Sequence, residues 1–215
     1  MRVTAIWRYP VKSMAGERVS VVEMTGTGLT GDRVVQVYDR HERIVTARTF
    51  PRLLRLHATL GLDGEPLVDG LSWRSPEVAQ RVEAAVAPGA RLERFDGPER
   101  FDILPLLVCT DGALSMFGND ARRLRPNLVI GGVEGAAERD WSGAVLRLPN
   151  AEVGVADLRE RCVMTTYDPD TGEQAPNVLR EIVRRFDGRL CLNASVIRAG
   201  RVEEGDSVEL IASAR

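Results

Sequence analysis

Cysteine is scarce in this 215-residue chain: only Cys109, Cys162 and Cys191 occur, an odd and widely spaced set that does not read as a disulfide framework. No CxxC pair exists and the only histidines are His41 and His57, which argues against a Cys/His zinc site. Three cysteines are also too few for a four-cysteine iron–sulfur cluster within the chain. With two histidines and no GxSxG, a serine or cysteine hydrolase has little to work with. No apolar run is long enough to cross a bilayer. The opening "MRVTAIWRYPVKS" carries Arg2, Arg8 and Lys12 and lacks the apolar core of a signal peptide. A basic tract is missing too, and the net charge of −2 gives no field for nucleic acid. These absences point to a soluble cytosolic protein that engages neither membrane nor nucleic acid.

Enough apolar sequence is present for a core: 44% of residues are hydrophobic and 28% charged, which excludes disorder. The length suits one large domain or two small interlocked ones. The first half is a series of β-like runs, "RVTAIWRY", "RVSVVEMT", "RVVQVYD", "RIVTAR" and "LLRLHATL", separated by turn residues, as in a meander or small barrel. "SPEVAQRVEAAVAPG" reads as a helix capped by Ser75, opened by Pro76 and striped by Val78, Val82 and Val86. Further strands are expected in "LLVCT", "NLVIGG", "VLRLP", "EVGVADLRER", "SVIRAG" and "DSVELI". A second helix is expected in "PNVLREIVRRFDG", with Leu179, Ile182, Val183 and Phe186 at helical spacing and Gly188 as its stop. The expected class is α+β, mostly β, in two packed lobes, 1–97 and 98–215, with the boundary in "GPERFDIL".

Two motifs fail their structural tests. "GTGLTG", Gly26 to Gly31, matches the dinucleotide glycine pattern, but it leads into a strand-like run and not a helix. Its glycines are expected to serve a tight connection. "DPDTGE", from Asp168, lacks the ligand spacing of a calcium loop and reads as a polar turn. More suggestive are Arg33, Arg48, Arg125 and Arg161, all near strand ends, together with Lys12 and Ser13 in "YPVKS". Cations with hydroxyls and loop amides suit a phosphate or another anion, although any one of them could simply be surface charge. Cys162 follows Arg159 and Arg161 and precedes Thr165 and Thr166. Cationic neighbours favour a thiolate, which is both a nucleophile and a soft metal ligand; a buried core cysteine is the alternative. Cys109 and Cys191 sit in apolar strand contexts and read as core.

The segments "YPVKSMAGE", "GLTGDR", "VTARTFPRL", "RLRPNLVI", "RCVMTTYDPDTG" and "ASVIRAGRVEEGDSVEL" together resemble the MOSC-domain proteins, in the family's order and over nearly the whole chain. The resemblance is strongest to the subgroup with an N-terminal β-barrel lobe, which includes the amidoxime-reducing components. It implies a MOSC-type β-barrel core packed against a smaller N-terminal β-barrel lobe, and a molybdenum cofactor. By this resemblance, Lys12, Ser13, Arg33, Arg125 and Asn127 would hold the pterin's phosphate. Cys162 would ligate molybdenum and act in catalysis, Arg161, Thr165 and Thr110 would contact the cofactor, and Asp168, an acidic residue on the metal side, would be a second catalytic residue that manages protons. There are departures from the subgroup. The stretch between "VTARTFPRL" and "FDILPL" is short, Ala113 replaces a polar residue, and no ferredoxin-like tail follows residue 211.

The resemblance implies an oxidoreductase that reduces N-hydroxylated or other N-oxygenated small molecules, with electrons from a separate donor protein. Two alternatives stand beside it: a sulfur carrier that holds a persulfide on Cys162, and a non-catalytic carrier of the molybdenum cofactor.

Overall fold

The computed structural model describes residues 1–212. Its centre is an eight-stranded sheet. From edge to edge the strands are Glu209–Ile211, Val145–Arg147, Glu152–Glu160, Arg189–Arg198, Leu106–Thr110, Leu128–Gly131, Arg2–Arg8 and Glu17–Val19. Every neighbouring pair is antiparallel except Leu106–Thr110 and Leu128–Gly131. A parallel pair needs a crossover. It is supplied by a helix that the sequence reading did not count among its two. The side chain of Thr110 caps it, Asp111–Phe117 form it, and Gly118 ends it with a left-handed φ of 67°. Three three-stranded sheets complete the β structure, so the chain is mostly β as its residues suggest.

We label the helices α1 (Pro76–Ala85), α2 (Asp111–Phe117) and α3 (Pro176–Phe186). The α1 expectation holds. Ser75 Oγ accepts from the Val78 amide, Pro76 opens the helix, and Val78 and Val82 are fully buried. In α3 the buried stripe is Val178, Ile182 and Phe186. Val183, expected inside, is 57% exposed, because the helix rolls toward the i, i+4, i+8 row. "LLRLHATL" is not one strand. Pro51 opens a 3₁₀ turn, Pro51–Arg55, and the strand begins only at Ala58. "GTGLTG" makes a tight hairpin: Gly28 and Gly31 take φ of 107° and 79°, Gly28–Leu29 pairs back with Met24 and Thr25, and the element that follows is the strand Val35–Tyr38.

Cys109 and Cys191 are buried, as expected, but they are also joined in a disulfide, which an odd and widely spaced set of cysteines does not announce. The register explains the bond. Val108 pairs with Leu192 across antiparallel strands, so Cys109 and Cys191 face one another although 82 positions apart. They sit in a core layer under α2 and α3 with Ala113, Phe117, Leu124, Val178, Ile182 and Phe186. A second layer fills the large sheet around Ile6, Leu128, Ile130 and Leu146, and a third joins Val11, Met14, Val35, Leu53, Val78 and Val82.

The strand Arg2–Arg8 pairs with Leu128–Gly131. A division at residue 97 therefore separates strands of one sheet. The first segment opens the large sheet, and the second supplies the rest of it.

Candidate functional site

Three loops converge on one cleft, two that follow β-strands and one that leads from α2 into the strand Leu128–Gly131. The first begins at Tyr9, whose carbonyl accepts from the Arg33 amide at 2.7 Å. The Lys12 amide is tied to the Val35 carbonyl at 2.8 Å. The second loop is Asp32–Arg33, and the third runs from the 3₁₀ turn Ala121–Arg123 through Arg125 to Asn127. Ser13, Arg33 and Arg125 hold φ of 71°, 55° and 58°. Left-handed backbone is unfavourable for residues with a side chain and is retained where surrounding contacts enforce it, often at functional sites. All three residues line the same cleft.

The cleft has a volume of about 590 Å³. Of the candidates from sequence, Lys12, Ser13, Arg33, Arg125, Asn127, Arg161 and Cys162 line it. Arg48 and Arg159 add to the cations, whereas among the described residues Asp102 and Glu160 are the only carboxylates on its wall. This excess of positive charge is held close to neutral and aromatic groups. Arg125 and Arg33 lie over the Tyr9 ring, at 4.2 and 5.0 Å from its centroid. Such cation–π contacts partly offset the loss of water. Burial still dominates: the guanidinium pKa values of Arg125 and Arg161 are each pulled down to about 10, and burial pushes the Tyr9 phenol up to about 12. Arg161 donates from Nη2 to the Leu124 carbonyl at 2.7 Å, but its buried Nε has no partner among the described residues.

Cys162 is the one free cysteine and is half-buried. It stands at the end of the strand Glu152–Glu160, where the chain turns into the 3₁₀ segment Val163–Thr166. The Cys162 carbonyl accepts from both the amide and the hydroxyl of Thr165, at 3.1 and 2.9 Å. Thr165 is fully buried and does not line the cleft, so its role here is to hold the turn that presents the sulfur. Among the described residues no group of three or more His, Cys, Asp or Glu is arranged to hold a metal. A metal at Cys162 must therefore bring other ligands with it.

Two further candidates lie outside the cleft wall. Thr110 caps α2 and donates to buried Glu138 at 3.0 Å. Asp168 accepts from the amides of Asp170 and Thr171, each at 3.0 Å, and from Arg123 at 2.7 Å. The backbone donors, with Arg123, hold its carboxyl below the usual carboxylate range, so it is a turn anchor and not a ready proton donor. Asn127 lines the cleft, but its amide is already engaged: it donates to the Trp7 carbonyl and to Asp32 and accepts from the Leu107 amide.

Sequence reasoning missed Tyr9, Asp32 and Asp102. Asp32 is fully buried, accepts from the Tyr9 amide at 2.7 Å and pairs with Arg33. Tyr9 and Asp32 lie inside "YPVKS" and "GLTGDR", close to Lys12 and Arg33. Nothing in the local sequence distinguishes Asp102. Lys12, which faces Asp102 at 3.1 Å, is the only lysine in the chain.

A model of the MOSC N-terminal beta barrel domain matches residues 1–86, and a MOSC domain model matches residues 113–209. The chain is a MOSC-domain protein. Lys12, Ser13 and Arg33 belong to the matched barrel segment, and Arg125, Arg161 and Cys162 to the matched MOSC segment, so the cleft lies where the two meet. Mitochondrial amidoxime-reducing component 1 of Homo sapiens is 26% identical over 230 residues, spanning 79% of this MOSC protein and 67% of its own length. Mitochondrial amidoxime reducing component 2 of Homo sapiens is also 26% identical, over 79% of this chain and 68% of its own. The molybdenum cofactor sulfurase of Caenorhabditis briggsae is 25% identical over 96% of this chain, which spans only 35% of that protein. Among solved structures, the YUAD protein of Bacillus subtilis covers 99% of the chain with a TM-score of 0.54 at 13% identity, a likeness of fold alone.

Proposed function

We propose that the cleft binds a molybdenum–pterin cofactor, with the Cys162 thiolate as a metal ligand, and that the protein reduces N-hydroxylated small molecules with electrons from a separate donor protein. The observation that carries this reading is the convergence of Lys12, Ser13 and Arg33 with Arg125, Arg161 and Cys162 in one cleft. The donor set fits such a group. Clustered, partly desolvated cations suit a phosphate monoester, and the partnerless Nε of Arg161 is a donor awaiting an acceptor. A single soft thiolate suits a metal that arrives with sulfur ligands of its own. Relatives named as amidoxime-reducing components support the choice of substrate class.

When bound, the cofactor supplies the electron pair that breaks the substrate's N–O bond, with protons taken up and water released. The chain's own residues bind and orient. Lys12, Ser13 and Arg33 anchor the phosphate end. Arg125, fixed by its bond to the Met14 carbonyl at 2.7 Å and stacked on Tyr9, forms the inner wall. The Thr165 clasp on the Cys162 carbonyl fixes the direction of the sulfur. Asp168 is not assigned the proton step, because its carboxylate is held ionised by its donors.

Protein purified from a molybdenum-replete host tests the reading. Metal analysis should find about one molybdenum per chain, and Cys162→Ala should abolish reduction of an N-hydroxylated test compound with a chemical electron donor. The fold should survive, since loss of this side chain from the edge of a site costs only about 1 kcal/mol. Undiminished activity in Cys162→Ala would refute the mechanism. A persulfide on Cys162 without molybdenum would instead support the sulfur-carrier reading, which the sulfurase relative keeps in view.

A further inference from the structure

One carboxylate sits where an incoming anion should go. Asp102 lies in residues 87–112, between the two family-matched stretches. Its Oδ1 is 3.1 Å from Lys12 Nζ. Its Oδ2 accepts from Arg48 Nη2 at 2.7 Å and lies 3.6 Å from Arg159 Nη2. These three cations come from distant parts of the chain and meet on this one side chain. Burial raises the Asp102 carboxyl, but Lys12, Arg48 and Arg159 outweigh it and hold the group below the usual range. The carboxylate is therefore charged at neutral pH. Its backbone is lightly tethered. Residues 102–104 follow the 3₁₀ turn Pro98–Arg100 and neither donate nor accept a backbone hydrogen bond among the described residues, and Ile103 is 56% exposed.

We propose that Asp102 is an internal stand-in for the ligand's phosphate. Its carboxylate neutralises Lys12, Arg48 and Arg159 until an incoming phosphate monoester displaces it. Asp102 thereby sets the preference of the cleft for dianions over carboxylates and other monoanions. The inference rests on the anion-binding part of the proposed function and deepens it. A free monoanion that displaces Asp102 exchanges one carboxylate contact for another and also loses its own translational freedom. A phosphate monoester brings close to a second negative charge and three strong acceptor oxygens, enough to engage all three cations at once. Specificity then comes from a built-in competitor as well as from attraction.

The opposite role is a fixed Asp102 that orients the cations for the ligand, and the two roles predict opposite signs. The test uses the full chain from a host that cannot make the pterin. Inorganic phosphate and acetate are titrated calorimetrically at constant chloride and neutral pH. Asp102→Asn should bind phosphate about tenfold more tightly than wild type. Acetate, without measurable binding to wild type, should become detectable, so the ratio between the two anions shrinks. Asp102→Ser should shift in the same direction, which covers a folding defect peculiar to the asparagine; melting curves check both. Glu160→Gln removes the same charge from the same wall, but Glu160 faces Arg189 at 3.6 Å and not Lys12. Its effect should stay below about twofold, as expected of a screened, exposed charge. Lys12→Met on the Asp102→Asn background should remove phosphate binding.

Equal shifts in Asp102→Asn and Glu160→Gln would reduce the effect to general electrostatics and overturn the proposal. So would weaker phosphate binding in Asp102→Asn, no phosphate binding in any variant, or binding that survives Lys12→Met. Molybdenum content reads out separately. Metal-loaded wild type with an unresponsive Asp102→Asn defeats only this inference, and the expected anion behaviour without any molybdenum defeats only the cofactor reading.

Discussion

Arg125 concentrates the conflict between stability and binding at the level of a single residue. Its backbone is left-handed, although it carries a side chain and precedes Pro126, a position that favours extended backbone. Burial drags its guanidinium pKa down to about 10, a sign that the protein's own groups compensate the charge poorly. Arg125→Gly should relieve the φ of 58° and be more stable than Arg125→Ala by about 1 kcal/mol, measured by denaturant unfolding. Both variants should lose cofactor occupancy, whereas Arg185→Ala, on the surface of α3, should retain it. Equal stability of the glycine and alanine variants would show that the backbone at this position is not strained. The charged members of the cleft were legible in the sequence because arginines beside strand ends and a lone Lys–Ser pair are chemically conspicuous. Asp32 and Asp102 were not, since a carboxylate shows its importance only when its distant partners are known.

Between elements, the N-terminus of α2 depends on an unusual anchor. Thr110 accepts from the Ala113 amide and donates to Glu138, whose other carboxylate oxygen is buried without a partner among the described residues. Burial raises the Glu138 pKa above the usual carboxylate value. A raised folded-state pKa gives stability that is complete below the unfolded value of about 4.3 and lost as pH rises through the folded one. Glu138→Gln should therefore gain stability relative to wild type as pH increases from about 4 to 8, read as the difference between two denaturation series. A difference that does not change with pH would mean that the carboxyl titrates normally. The same element shows where sequence reading runs out. The two helices with clear start signals, Pro76 after Ser75 and Pro176, were legible, whereas α2 is only 7 residues long and buries a short face. The Cys109–Cys191 bond depended on strand register, which no local pattern encodes.

Across the whole molecule, the large sheet ties the two family segments together. Arg2–Arg8 pairs with Leu128–Gly131, Arg2 bridges Ser207, and the Val3 amide donates to the Asp206 carbonyl at 2.9 Å. The chain should unfold in a single cooperative transition, and the isolated piece 98–215 should not fold, because its sheet would expose the edge of Leu128–Gly131. Circular dichroism and amide dispersion of that piece would check this; a native-like spectrum would show that the segments are independent. The division at 97, placed in "GPERFDIL", cuts across the pairing of strands. The lone lysine has a practical consequence. Isotopically labelled lysine would place one amide signal in the spectrum of the entire chain, from residue 12, whose N–H is bonded to Val35 at the cleft wall. Its position would report cleft occupancy without any resonance assignment, in purified protein or in a crowded extract.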